Sequence, residues 1–168
     1  MELSLRRSKN LSLKLFGALE QLELPAPEPE ESEPAFTKRV LSGVVKGELE
    51  VLTGIPLTFR GDGGESRALP ASVLGIDFYP DLAVSLGHQN IWAAEVKFLR
   101  LANRQNSIAT ALGQATMYRT RYEHVAVFFV DLAPVDRRIQ KRLVLQAEEL
   151  GLNVVVRPKS GQILLPQV

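Results

Sequence analysis

The sequence predicts an α/β domain in which a mixed central β-sheet is flanked by α-helices. Three observations carry that prediction. The segments run helix, several strands, helix, strand, helix, strand, an order that suits helices packed on the faces of one sheet. Residues 124–132, "HVAVFFVDL", form a continuous apolar run of the kind found in strands buried on both faces. Residues 80–98, "PDLAVSLGHQNIWAAEVKF", alternate apolar and polar side chains on either side of a polar turn, as a hairpin does.

The elements can be justified in order. In residues 1–24, Leu11, Leu15, Ala18, Leu19 and Leu22 share one helical face, with Ser8 or Asn10 as caps. One amphipathic helix is not stable alone, so it is expected to dock on the domain or on another protomer. Residues 25–34, "PAPEPEESEP", lack apolar periodicity and read as an extended linker. The α/β domain then occupies 35–168. Phe36, Val40, Leu41, Val44, Val45, Leu49 and Leu52 predict a helix that stops at Gly54. Strands are expected at 56–60, 72–79, 81–86 and 91–98, with "RGDGGES" as a turn that lacks the Lys-Ser/Thr of a phosphate-cradling loop. Residues 105–121 predict a second helix and 124–132 a strand. "VDRRIQKRLVLQAEELG" predicts a third helix stopped by Gly151, followed by the strand "LNVVVRP" and a short one at "QILLP".

A chain of 168 residues is long enough for one domain with a proper core. With 45% hydrophobic and 23% charged residues it has the composition of an ordinary globular protein. The absence of cysteine excludes disulfides, thiolate catalysis and Cys-based zinc sites, and two isolated histidines do not make a His-based cage. No apolar run approaches the roughly eighteen residues of a membrane span, and the N-terminus lacks a signal-peptide pattern. The expectation is a cytoplasmic protein without a membrane partner. The net charge of +1 is uneven: 25–34 carries −4 and 35–168 carries +4, a balance compatible with a polyanionic partner.

The hairpin raises the chemical question. Leu82, Val84 and Leu86 alternate with Asp81, Ala83 and Ser85; Trp92, Ala94, Val96 and Phe98 alternate with Ala93, Glu95 and Lys97. A two-residue turn at His88-Gln89 would put Asp81 on the wrong face, because a one-residue slip flips every side chain. A three-residue loop His88-Gln89-Asn90 restores the parity and sets Asp81 across from Lys97 and diagonal to Glu95. Two carboxylates with an open position can hold a hard cation such as Mg²⁺, which stabilises charge on a phosphoryl oxygen. A neighbouring lysine can orient water and stabilise developing charge. The same residues would also serve as a cross-strand ion pair on a solvated face.

Pro80-Asp81 followed by Glu95-Val96-Lys97 resembles the PD-(D/E)xK nuclease superfamily. Gln114 and Tyr118 in "GQATMY" resemble the QxxxY motif of its RecB-like branch. The likeness spans about residues 36 to 132. It implies a restriction-endonuclease-like core and a Mg²⁺- or Mn²⁺-dependent deoxyribonuclease. Asp81, Glu95 and the backbone carbonyl of Val96 would be the metal ligands, and Lys97 would position the attacking water. Gln114 and Tyr118 would point from the helix toward the site or the nucleic-acid backbone. An acidic residue from the first helix is also expected, and Glu48 is chosen over Glu50 because it shares the face of Leu41, Val44, Val45 and Leu52. Asp77 is a rival ligand of the same strand parity. Arg100, Arg104, Arg119 and Arg121 flank the site in sequence and could contact DNA phosphates. A homodimer is expected, with any helicase partner a separate chain. The alternative is a catalytically silent nuclease-fold protein acting as a nucleic-acid-binding or assembly module.

Overall fold

The computed structural model describes residues 10, 11, 13–15, 17, 18, 25–62, 64, 66–86, 89–122, 124–132, 138, 141, 142, 145, 146, 149 and 153–158. Helix α1 runs in three parts, Glu33–Phe36, a π-helical stretch Thr37–Val45, and Lys46–Thr53. The strands are β1 (Thr58–Gly61), β2 (Ala71–Val73), β3 (Ile76–Phe78), β4 (Leu82–Leu86), β5 (Gln89–Leu99), β6 (His124–Asp131) and β7 (Asn153–Pro158). Helix α2 (Arg104–Tyr118) joins β5 to β6 after a short 3₁₀ turn, Leu101–Asn103. Described positions between 138 and 149 are helical, in the region of the expected third helix; the short strand at "QILLP" lies outside the described residues.

The main sheet has the order β1-β4-β5-β6-β7, antiparallel through β5 and parallel from β5 to β7. The expected strand over 72–79 is instead a small hairpin, β2–β3, forming a sheet of its own. Its turn is Leu74-Gly75, both with positive φ, the backbone handedness that matches strand twist in a tight hairpin.

Alternation along β4, β5 and β6 divides the apolar residues between two cores. Phe59, Leu82, Val84, Trp92, Ala94, Val96, Phe98 and Phe128 pack with α1 residues Phe36, Val40, Leu41, Val45 and Leu49. Leu15 and Ala18 of the N-terminal helical residues join the same cluster, and the Lys14 ammonium donates to the Thr53 carbonyl at 2.9 Å. On the opposite face, Ala83, Ala93, Leu99, Val127 and Phe129 pack with Ala111, Ala115 and Tyr118 of α2. Small residues beneath α2 let the helix approach the sheet closely, which brings Tyr118 within reach of β5.

The segment read as a linker is anchored to α1. Arg39 donates to both carboxylate oxygens of Glu31, at 2.8 and 2.7 Å, a two-point geometry that fixes orientation. Ser32 caps the first turn by accepting from the Ala35 amide, and Pro34 follows where a missing N–H does no harm. The helix therefore begins at Glu33, upstream of the Phe36 expected from apolar spacing. Gly54 ends it in the left-handed conformation, φ 66°, as the stop signal implied.

Candidate functional site

The parity of the central hairpin is as expected, but its origin differs. Leu86 pairs with Gln89 and Ser85 with Asn90, so the connection has two residues, 87 and 88, which lie outside the described set along with the His88 side chain. The compensating residue is a bulge: Val84 pairs with Trp92, leaving Ile91 extra on β5. Ile91 and Trp92 are consecutive yet both enter the α1-side core, which a bulge permits and a regular strand does not. The three-residue loop 88–90 is thus replaced by a tighter turn plus a bulge. Extending the Leu82–Ala94 pairing by one residue sets Asp81 level with Glu95, not with Lys97.

Asp81, Glu95 and Lys97 consequently meet on the face covered by α2. Asp81 Oδ2 accepts from the Val96 amide at 2.8 Å. Glu95 is buried, 1% exposed; its Oε2 accepts from the Tyr118 hydroxyl at 2.6 Å and its Oε1 lies 3.0 Å from the Lys97 ammonium. Lys97 Nζ is also 3.3 Å from Glu33 Oε2. The Tyr118 hydroxyl lies 2.9 Å from the Tyr79 carbonyl as well, so it bridges Glu95 and the segment just before Asp81. One turn back on α2, the amide oxygen of Gln114 is buried without a partner among the described residues.

Electrostatics follow from this crowding. Burial, then the charge of Glu95, pushes the Asp81 carboxyl up to about 7, against the Val96 hydrogen bond and Lys97. Burial raises Glu95 too, opposed by the Tyr118 hydroxyl and the Lys97 ammonium. Burial pulls Lys97 down, but Glu95, Asp81 and Glu33 together outweigh it and hold the ammonium above its ordinary range. Burial and the neighbouring Glu95 charge also raise Tyr118, which stays a hydrogen-bond donor.

Asp81 opens into a cleft of about 450 Å³ whose walls include Gly61, Asp62, Ser66, Arg67 and Tyr79. Gly61 has φ 104°, and a Cβ there would stand 2.2 Å from the Asp81 carbonyl oxygen, so only glycine lets the loop after β1 close against Asp81. The Asp62 amide donates to that same carbonyl at 2.8 Å.

The other sequence candidates disperse. Glu48 is exposed, and among the described residues no hydrogen bond or ion pair joins it to Asp81, Glu95 or Lys97. The π-helical turn explains the miss. Its i→i+5 pattern turns less per residue than a 3.6-residue helix, so the buried positions fall at Val40, Leu41, Val45 and Leu49, and Glu48 rotates outward with Val44 and Leu52. Glu50 accepts from the Leu57 amide at 2.6 Å and closes the turn after α1. The acid that α1 does supply is Glu33, flagged in the sequence by the capping Ser32 and by Pro34. Asp77 is hydrogen-bonded to Ser72 within the small hairpin. Arg104 is engaged by the buried Asp131, at 2.5 and 3.2 Å. Arg100 is exposed and sits 5.6 Å from the Phe98 ring centroid; Arg119 and Arg121 are exposed just after α2.

Two carboxylates are what this site offers a cation. Among the described residues, no group of three or more His, Asp or Glu is gathered closely enough to form a metal cage. A zinc-type cage does not fit. The only ion that Asp81 and Glu95 could hold is a hard divalent one that keeps several of its waters, since it needs only one or two carboxylates; Glu95 Oε2 already accepts from Tyr118 and its Oε1 faces Lys97. The Val96 carbonyl belongs to the residue whose amide already orients Asp81. No helix among the described residues is long and apolar enough to cross a membrane. No protein-family model matches the chain, and neither does a curated protein or a solved structure.

Proposed function

We propose that this chain is a metal-dependent nuclease that hydrolyses phosphodiester bonds in DNA, built on a restriction-endonuclease-like core. The observation that supports the reading best is the pairing of two carboxylates, Asp81 and the buried Glu95, with an ammonium two residues along the same strand from Glu95, Asp81 itself lining an open cleft. Asp81 and Glu95 would hold Mg²⁺ or Mn²⁺, which neutralises charge on a phosphoryl oxygen. Lys97 stays protonated at neutral pH, so its part is to donate to the attacking water and to the developing oxyanion, not to abstract a proton. Tyr118 holds Glu95 in place, and Glu33 restrains the far side of Lys97.

Nicking of plasmid DNA by the purified chain in Mn²⁺ or Mg²⁺ tests this directly. Asp81→Ala and Lys97→Ala should each abolish cutting while circular dichroism stays unchanged; full activity in Asp81→Ala would reject the assignment. A second reading has its own support. Lys97 contacts both Glu95 and Glu33, as it would in a closed ion-pair network on a DNA-binding module without turnover. Calorimetry separates the two, since only the nuclease takes up Mn²⁺ in a manner lost in Asp81→Ala.

A further inference from the structure

The cleft that Asp81 lines also carries a cationic side chain, Arg67. Arg67 sits over Tyr79, its guanidinium carbon 3.7 Å from the ring centroid. Arg67 is exposed and, among the described residues, has no carboxylate partner. Arg39 and Arg104, by contrast, are held by Glu31 and Asp131. Stacking occupies a face of the guanidinium and leaves its in-plane N–H donors pointing outward, the arrangement that takes a phosphate at two points. The neighbouring backbone donors are already engaged: the Gly61 amide donates to the Ser66 carbonyl, the Asp62 amide to Asp81 and the Gly64 amide to Gly61. Asp62 and Asp81 line the same cleft. A phosphate entering the cleft therefore finds its cationic partner in Arg67.

We propose that Arg67, stacked on Tyr79, binds a backbone phosphate of a nucleic-acid strand next to the one cut at Asp81. This rests on the nuclease reading and adds the strand-holding residue to it. The ligand chemistry is a phosphate oxygen, which a strand or free inorganic phosphate could supply.

The test is fluorescence anisotropy of a labelled single-stranded oligonucleotide with the full chain in Ca²⁺ over a salt series, alongside cutting rates in Mn²⁺. Arg67→Ala should weaken binding about tenfold and lower the salt slope by about 0.7, the value of one phosphate contact on a single strand. It should raise KM with little change in kcat, because the lost contact is equal in ground and transition states. Tyr79→Leu should fall between Arg67→Ala and wild type, and Lys38→Ala, the loss of an exposed charge elsewhere, should match wild type. Unchanged binding and salt slope in Arg67→Ala, with wild type still cutting, overturns this proposal and leaves the nuclease reading intact. Arg67-dependent binding without any cutting by wild type keeps Arg67 as a strand-holding residue but overturns its placement beside a cut phosphate, together with the hydrolytic reading. Wild type that binds inorganic phosphate but no oligonucleotide, or neither, overturns the proposal.

Discussion

The Tyr118 hydroxyl donates a 2.6 Å hydrogen bond to Glu95 Oε2, tying the last turn of α2 to the central strand β5. Because this bond favours the charged carboxylate, it works against the burial that raises Glu95. Tyr118→Phe should therefore push Glu95 further up. In the nuclease reading the metal takes the ionised carboxylate, so the acid limb of Mn²⁺ binding should move to higher pH. Calorimetric titrations between pH 5 and 8 check it; a pH profile identical to wild type would show that Tyr118 only packs. The lost partner also leaves a buried acceptor short, lowering stability by about 1–3 kcal/mol.

Asp81 should make the metal-free protein less stable as pH rises. Its carboxyl is pushed up to about 7 from an ordinary 3.8. Between those values the folded chain holds a proton that the unfolded chain has lost, so stability is greatest below the lower value and declines toward the upper one. Glu95, raised as well, adds to the same slope. Asp81→Asn should flatten this limb and raise Tm at pH 8 in EDTA, and in the nuclease reading Mn²⁺ should raise the wild-type Tm there. Thermal melts of wild type that stay level from pH 4 to 8 would contradict it.

Leu74 is 98% exposed and adopts φ 52° at the tip of the β2–β3 hairpin. A γ-branched apolar residue gains nothing from that position and bears the steric penalty of the left-handed region, which asparagine tolerates. Leu74→Asn creates an Asn-Gly turn and should stabilise the fold by about 1 kcal/mol. Urea unfolding would register this as a higher midpoint at constant slope; a lower midpoint would mean that the leucine has a partner.

Leu15 is 1% exposed and lies in the α1-side core with Phe36 and Val40. Leu15→Ala should therefore destabilise the domain by about 2–5 kcal/mol, the range of buried leucine truncations. Urea unfolding provides the measurement, and a loss below 0.5 kcal/mol would mean that these helical residues leave the domain in solution.

How far the sequence foreshadowed all this differs by feature, for physical reasons. Alternation along β4 and β5 was enough to put Asp81, Glu95 and Lys97 on one face, because strand periodicity preserves parity whichever device restores it. It could not distinguish a three-residue loop from a short turn with a bulge at Ile91, since both shift the pairing by an odd count. The Leu74-Gly75 turn escaped notice because leucine carries no turn signal. On α1 the spacing of Val40, Leu41, Val44 and Val45 suits an ordinary helix, and nothing local announces the wider turn that exposes Val44 and Glu48. Glu33 was legible but read as linker, since Pro and Glu composition outweighed the Ser32 cap.

That reassignment supplies the last prediction. Glu33 contributes to the high pKa of Lys97 through a contact at 3.3 Å, whereas Glu48 does not contact the site. Glu33→Gln removes the charge and keeps the shape, so the Lys97 ammonium should titrate at lower pH and be less firmly positioned. In the nuclease reading kcat should fall several-fold, the size of effect expected when a positioning contact about 1 kcal/mol strong is lost. Glu48→Gln should leave kcat and KM at wild-type values. Single-turnover cutting rates compared across pH 6 to 9 discriminate the two acids. A loss confined to Glu48→Gln would return the helix acid to Glu48 and leave Glu33 as an ordinary capping-turn glutamate, and equal losses in both variants would contradict the assignment of Glu33 alone.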